Sequence, residues 1–253
     1  MADYSPQELM IIAAAREIRD GEVVFVGMRL PITSFGVARL THAPNAVGLF
    51  ESGVVRHDPA DGMLFTMCDP PNQLAAAWTT GLIPVMGHLQ AGRVDAGFIG
   101  GAEIDRYGNI NTSYIGDFNN PTVKLPGSGG AADIAAMSGR LIAIMNHEKR
   151  RLVARVDYVT SPGFLDGGST RAEAGLTGGP AAVITDRGIL RPEGEDNELH
   201  LASYHPGHTV DEIRENTGWA LKMAPDVGET PPPTGAEMDA LHRIDREGFW
   251  RGA

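Results

Sequence analysis

The stretch EVVFVGMRLPITSFGVARLTHAPNAVGLFESG, residues 22–53, decides the fold. Glu22 to Val26 is a short apolar run closed by Gly27, which reads as a buried strand. A short helix is predicted from Thr33 to about Leu40. Val47 to Phe50 then reads as a second strand, which delivers Glu51-Ser52-Gly53.

The flanking segments continue the alternation. Upstream, Ser5, Pro6 and Glu8 have the spacing of an N-cap, a first helical residue and a capping box. Leu9, Ile12, Ala13 and Ile18 fall on roughly one face of that helix, and Gly21 can end it. Downstream, residues 57 to 71 are loop-like, with Pro59, Gly62, Pro70 and Pro71. Gln73 to Trp78 is predicted helical. Gly97 to Ile99 is a strand running into Gly100-Gly101, and Gly127-Ser128-Gly129-Gly130 precedes an Ala-rich helix from Ala131 to Met137. Leu141 to Met145, Leu152 to Tyr158, Ala181 to Thr185 and Glu198 to Ser203 read as further strands. Thr209 with Glu212, and Thr234 with Glu237, mark two more capping boxes, and Pro225 to Pro233 reads as a Pro-rich linker before the C-terminal helix. The expected fold class is α/β: an open, mostly parallel twisted sheet with helices on both faces, joined by right-handed crossovers. Residues 1–253 are expected to form a single domain. Ligands of such sheets bind beyond the carboxyl ends of the strands.

Composition narrows the function. The net charge is −11 and no Lys/Arg run exceeds Lys149-Arg150-Arg151, so a nucleic-acid partner is disfavoured. A local basic pocket remains compatible with an anionic ligand. The single cysteine, Cys68, excludes an intrachain disulfide framework and a Cys-rich zinc site. No His lies beside it in sequence, and a partly buried structural thiol is the expected reading. The eight histidines show no metal-ligand spacing, and His147-Glu148 does not continue as H-E-x-x-H. The first residues lack the pattern of a signal peptide, and no stretch has the length and apolarity to span a membrane, so a cytoplasmic location is expected.

Three segments are candidates for chemistry. Glu51 ends an apolar run, where a carboxylate is poorly solvated unless partnered, which makes its nucleophilicity tunable. Gly53 lets the backbone turn or a ligand approach. Taken alone, the segment also reads as a solvated acid that ends a strand, and local sequence favours that simpler reading. Backbone N–H groups of Gly127–Gly130, at a helix start, can bind an oxyanion or a phosphate; a flexible loop is the alternative. Ile99-Gly100-Gly101-Ala102-Glu103 lacks the spacing of a dinucleotide fingerprint, and Gly108-Asn109 reads as a tight turn. His147 to Arg151 reads as a solvated strand end, with contact to phosphates or a partner subunit as the functional option.

Taken in order, these segments resemble the β subunit of family I CoA-transferases of the glutaconate CoA-transferase type. The likeness starts at Met1-Ala2-Asp3-Tyr4 and continues through Phe50-Glu51-Ser52-Gly53, Phe98 to Asp105 and Tyr107-Gly108-Asn109. It resumes at Gly127 to Ala131, His147 to Arg151 and Val156 to Gly163, and it reaches Asn216-Thr217-Gly218. The resemblance implies the open α/β sheet that CoA-transferases share with some sugar-phosphate isomerases. It implies that Glu51 is the nucleophile and that Gly129 and Gly130 form the oxyanion loop. Coenzyme A, as acyl-CoA, would be a substrate beside a carboxylic acid, with no metal. An α-type subunit would complete an (αβ)₂ or larger assembly, with covalent catalysis through a glutamyl-CoA thioester. Arg29, Gly53, Gly100, Gly101, Asn109 and Ser128 are the candidate substrate or CoA contacts. Two regions depart from the family pattern. Gly27-Met28-Arg29 stands where a small Thr-Gly pair is expected, and Val54 to Asn72 matches poorly. Arg29 is a candidate partner for a substrate carboxylate or for Glu51, with a plain surface arginine as the alternative. Relatives of this fold also perform thioester hydrolysis, carbon–carbon hydrolysis or decarboxylation, and these are the alternative activities.

Overall fold

The structure, a computed structural model, describes residues 4–252. Met1, Ala2 and Asp3, where the resemblance begins, lie outside the described residues. In chain order the first elements are α1 (Pro6–Arg16), β1 (Val23–Phe25), α2 (Leu30–Leu40), β2 (Val47–Phe50), β3 (Val54–Arg56), α3 (Pro70–Gln73), β4 (Trp78–Thr79), α4 (Leu82–Gln90) and β5 (Ala96–Ile99). Next come β6 (Glu103–Asp105), β7 (Ile110–Asn111), β8 (Tyr114–Asp117), β9 (Asn120–Lys124), α5 (Ala131–Met137), β10 (Arg140–Ile144) and β11 (Leu152–Val153). The chain ends with α6 (Thr170–Glu173), β12 (Pro180–Ile184), β13 (Gly188–Glu193), β14 (Glu198–Tyr204), α7 (Val210–Glu215), β15 (Met223–Glu229) and α8 (Gly235–Ile244). Contacts divide them into two compact units, one running to Phe98 and resuming at Pro232, the other spanning Ile99–Pro231.

In the first unit β1 pairs in parallel with both β2 and β5, while β2–β3 and β3–β4 are antiparallel. Helices α1, α2 and α8 pack on one another. The capping predictions hold at both ends of this layer. Ser5 Oγ accepts the Glu8 N–H at 3.2 Å while the Glu8 carboxylate accepts the Ser5 N–H at 2.8 Å, and Thr234 and Glu237 repeat the exchange. Leu9, Ile11, Ile12, Phe25, Phe35 and Phe50 are fully buried or nearly so, and Phe35 meets Phe50 edge to face at 6.2 Å.

In the second unit β10–β12 and β14–β15 are parallel, and β12–β13–β14 is an antiparallel meander. A small three-stranded sheet, β11-β6-β7, and the hairpin β8–β9 complete it. The α/β class read from the sequence is therefore present. Parallel pairs occur where long connections intervene, and antiparallel pairs occur where short hairpins allow nothing else.

Several boundaries differ from the sequence reading. Helix α1 closes at Glu17, and Gly21 instead takes φ 79° in the turn before β1. Helix α2 begins at Leu30 because Pro31 suits a first turn. The helix expected at Gln73–Trp78 lies earlier, at Pro70–Gln73. Leu74 turns extended (ψ 130°), Ala75 has φ 54°, and Trp78 belongs to a strand. Helix α4 was hidden by Pro84 and Gly87, but Pro84 falls in the first turn, where it removes no helical hydrogen bond. The strand expected from Leu152 to Tyr158 is ordered as strand only at Leu152–Val153. Most of the Pro-rich stretch is strand β15, and Pro225 is tolerated because β15 ends the sheet order. Thr209 caps α7, but Glu212 does not return the bond; its carboxylate takes Arg187 at 2.8 Å and His208 at 3.3 Å. Cys68 is exposed, not partly buried. No helix among the described residues is long and apolar enough to cross a membrane.

Candidate active site

Strands β2 and β3 pair with Phe50 opposite Val54, so Glu51, Ser52 and Gly53 are the whole connection between them. The Gly53 N–H donates to the Phe50 carbonyl at 2.9 Å, and Gly53 has φ 96°. A three-residue hairpin loop that ends in a positive-φ residue has this pattern. Glu51 is its first residue, half-buried, after the buried run Gly48-Leu49-Phe50. Two further bonds hold the loop. Ser52 Oγ donates to the Met67 carbonyl at 3.1 Å, and the Thr80 N–H donates to the Gly53 carbonyl at 2.7 Å. A Cβ on Gly53 would lie 2.4 Å from the Thr80 carbonyl oxygen, so only glycine fits.

The loop that follows is organised by a residue the sequence reading did not single out. Arg56 is buried, and its guanidinium donates to the carbonyls of Asp58 at 2.9 Å and of Asn72 and Leu74 at 2.7 Å each. Burial pushes its pKa down from the usual arginine value, with the charge of Asp58 opposing. This arginine ties both ends of the segment that departs from the family pattern.

Beside this hairpin, the Val26 N–H donates to the Leu49 carbonyl at 2.8 Å and carries the parallel β1–β2 register one step past Phe25–Leu49. Gly27, Met28 and Arg29 therefore leave the sheet at the same end as Glu51. A Cβ on Gly27 would lie 2.5 Å from the Phe98 carbonyl oxygen. Arg29 caps α2 with φ 70° and ψ −124°, is exposed, and lies with its guanidinium carbon 5.9 Å from the centre of the Trp250 ring. Glu51, Gly53 and Arg29 are thus brought to one edge of the first unit.

The remaining candidates lie in the second unit. Gly127 and Gly129 have φ 101° and 50°, and nothing lies within 4 Å of a Cβ built on either. Gly130 caps α5, and Ser128 Oγ accepts the Ala132 N–H at 3.3 Å. The Gly129 N–H makes no hydrogen bond among the described residues. Gly100 is exposed, whereas Gly101 packs so closely that an added Cβ would meet Ile110 at 2.3 Å.

Asn109 is a different case. Its Nδ2 donates to the Asp105 carboxylate at 3.0 Å and to the Leu165 carbonyl at 2.8 Å, while its Oδ1 accepts the N–H groups of Gly163 at 2.9 Å and Leu165 at 3.1 Å. The buried amide has no capacity left for a ligand. It staples the Asp105–Asn109 turn to residues 163–165, which corrects its assignment as a substrate contact. Burial raises the Asp105 carboxyl above the usual range, against the bonds it accepts from Asn109 and Tyr107.

The charged run His147–Arg151 is also structural at its first residue. His147 is 1% exposed; its ring bonds Thr185 at 3.1 Å and Thr217 at 3.0 Å, and burial pushes its pKa down to about 4. His205, bonded to Thr230 at 2.9 Å and to the Thr185 carbonyl at 2.9 Å, is likewise held at about 4 by burial. Both rings are neutral and committed to the fold. Glu148 pairs with Arg150 and Arg151. Among the described residues, no group of three or more His, Cys, Asp or Glu side chains could hold a metal ion.

Comparison with known proteins bears on this geometry. The coenzyme A transferase family model matches residues 7–216. The chain is 41% identical to the B-type chain of 3-oxoadipate CoA-transferase from Pseudomonas knackmussii, over 97% of this chain and 95% of the relative. It is 38% identical to the B-type chain of glutaconate CoA-transferase from Acidaminococcus fermentans, over 92% and 91%. The crystal structure of glutaconate coenzyme A-transferase from that organism superposes with a TM-score of 0.89 at 33% identity, over 98% of this chain and 97% of the other. The open sheet, its order along the chain and this extent of identity place the protein in one family: it is a member of the coenzyme A transferases.

Proposed function

We propose that this chain is the B-type member of a heteromeric CoA-transferase in which Glu51 carries the acyl-group exchange. The observation that carries the reading is the hairpin apex. It presents one carboxylate, at the end of a buried strand, on a loop held by Ser52, Gly53 and Thr80. A nucleophile needs this kind of fixed placement, because a misplacement of about 1 Å can cost about 10²-fold in rate.

The chemistry closes without added reagents. The Glu51 carboxylate attacks the thioester carbonyl of an acyl-CoA and expels CoA thiolate, leaving a mixed anhydride. The thiolate attacks the Glu51 carbonyl, giving a glutamyl-CoA thioester and releasing the first acid as its carboxylate. The carboxylate of a second acid attacks that thioester and regenerates an anhydride and thiolate. The thiolate then attacks the acyl carbonyl, which forms the new acyl-CoA and frees Glu51. This is covalent catalysis with ping-pong kinetics. For the developing oxyanions we assign the backbone donors of Gly129 and Gly130; losing one such donor typically costs about 10²–10³ in rate.

Both relatives are named as one of two kinds of chain in their enzymes, which supports an A-type partner here, in an (αβ)₂ or larger assembly. They are also named for 3-oxoadipate and glutaconate, both dicarboxylic acids, and we take that class as the substrate acid here. The test is intact mass and peptide mapping of the purified two-chain complex after mixing with a panel of acyl-CoAs. A CoA adduct on Glu51, absent from Glu51→Ala, supports the transferase. Acyl-CoA consumed to acid and CoA with no adduct and no passage to an added acid would establish hydrolysis instead.

A further inference from the structure

Arg29 occupies a backbone conformation that suits glycine. Its φ of 70° with ψ −124° is strained for an L-residue, and strain of this kind persists where the surroundings over-determine it, commonly at ligand sites. Here the surroundings are explicit. Gly27 is locked against the Phe98 carbonyl, and α2 begins at the next residue, Leu30, with the Ile32 N–H on the Arg29 carbonyl at 3.0 Å.

The side chain is placed as firmly as the backbone. The guanidinium lies over the Trp250 ring, and Trp250 is itself fixed. Its indole N–H donates to the Leu64 carbonyl at 2.9 Å, and its backbone N–H donates to the Asp245 carboxylate at 2.9 Å. Stacking on an aromatic face leaves the edges of a guanidinium open for bidentate bonding. Other arginines of this unit are already committed. Arg16 pairs with Glu237, Arg39 with Asp58, and Arg56 is filled by carbonyls. Among the described residues no carboxylate pairs with Arg29. A preorganised, solvent-exposed guanidinium without an acid partner, at the strand end that carries Glu51, is a carboxylate receptor.

We propose that Arg29 selects the substrate acid: it binds the distal carboxylate of a dicarboxylic acid while the other end reacts at Glu51. This rests on the transferase reading for the identity of the reacting end, and it assigns to this chain the residue that separates dicarboxylic from monocarboxylic acids.

The experiment uses the assembled two-chain complex with wild type, Arg29→Gln, Arg29→Lys and Arg29→Gly. CoA acceptance is compared for glutarate and for valerate, a chain-length-matched monocarboxylic acid. Loss of one charge-assisted pair predicts that Arg29→Gln lowers kcat/KM for glutarate about 10–100-fold, through KM, with valerate unchanged. Arg29→Lys recovers part of the loss. Arg29→Gly removes the guanidinium and the backbone strain together, so it shows the same selectivity change in a complex at least as stable as wild type. Equal losses for both acids, no loss for either, or a change confined to the KM of acyl-CoA would overturn the proposal. A calorimetric titration of glutarate into each complex, without acyl-CoA, separates the two levels. If wild type transfers no CoA but binds glutarate at least about tenfold more tightly than Arg29→Gln, the transferase reading fails and the receptor stands. If both bind glutarate equally, the receptor fails whatever the transfer assay shows.

Discussion

Replacing Gly53 with Ala tests whether the hairpin apex is what makes Glu51 chemically useful. Two costs add. Alanine at φ 96° pays the left-handed penalty, about 1–2 kcal/mol. Its Cβ would also stand 2.4 Å from the Thr80 carbonyl oxygen, and 2.7 Å from that carbonyl's carbon, so backbone has to move. Overpacking of this sort costs about 1–3 kcal/mol. The movement strains the 2.7 Å bond from the Thr80 N–H to the Gly53 carbonyl, which contributes about 0.5–1.5 kcal/mol. The expected loss is about 3–5 kcal/mol, which for a chain of this length lowers Tm by roughly 6–20 °C.

Activity falls by a separate route. The shift that relieves the clash is of order 1 Å and is transmitted to Glu51 two residues away, so loading of Glu51 by acyl-CoA is expected to slow about 10²-fold. The matched control is Gly129→Ala. Gly129 also has positive φ, 50°, but nothing lies within 4 Å of its added Cβ, and the substitution keeps the N–H. It is expected to cost only about 1–2 kcal/mol and to leave adduct formation nearly intact. Thermal unfolding of the two variants and stopped-flow mass analysis of the adduct measure both effects. If Gly53→Ala melts and loads like Gly129→Ala, the clamp is not what positions Glu51.

Three further outcomes follow from the buried polar groups. Arg171, 3% exposed, donates to the carbonyls of Ala135 and Thr177 at 2.7 Å, Pro162 at 2.8 Å, Gly163 at 2.9 Å and Gly178 at 3.1 Å. Arg171→Met strips those carbonyls of their donor and is expected to lose about 4 kcal/mol or more in urea unfolding, since each stranded buried acceptor costs about 1–3 kcal/mol. For His147 and His205, held near pKa 4 in the fold against 6.5 unfolded, the unfolded chain binds more protons between those values. Their contribution is therefore whole above pH 6.5 and is lost as the pH falls toward 4, by up to about 3 kcal/mol each. Urea midpoints measured from pH 7.5 to 4 should show that slope, and His205→Gln should flatten it. Asp105→Asn leaves the N–H groups of Tyr107 and Asn109 facing an amide that offers one oxygen instead of two; about 2 kcal/mol is expected by thermal unfolding, with the turn at 105–109 loosened in hydrogen exchange.

What the sequence made legible was local. The Ser5–Glu8 box, the strand Val47–Phe50 and the turn at Gly53 each depend on residues a few positions apart, and short-range sterics and hydrogen bonding decide them. What it hid was either masked by a locally correct rule or set by distant partners. Pro84 and Gly87 count against a helix in any window, yet the start of α4 at Leu82 makes the proline harmless. Gly108-Asn109 does form the tight turn it suggests, with the Gly108 N–H on the Asp105 carbonyl at 2.9 Å. The reach of Asn109 to Gly163 and Leu165 has no local signature, so an amide committed to the fold reads as one available to a ligand. Arg171 left no mark at all, because carbonyls are supplied by every residue.

Glu51 shows why the two kinds of information must be joined. Val47 to Gly53 alone is compatible with a solvated acid at the end of a strand, and the hairpin geometry by itself would serve that reading equally well. The added constraint is non-local. Met67 and Thr80, both remote in sequence, converge on Ser52 and Gly53 and fix the loop on either side of the half-buried carboxylate. A turn whose only task was to reverse the chain would not need both anchors, since the three-residue loop already closes through Gly53 and Phe50. The same logic applies one strand over, where the strained Arg29 is held by Gly27 and Trp250 although a glycine would relax the turn. Two adjacent strand ends, each over-determined beyond what chain reversal requires, and carrying opposite charges, are what a site for an acid and its nucleophile demands.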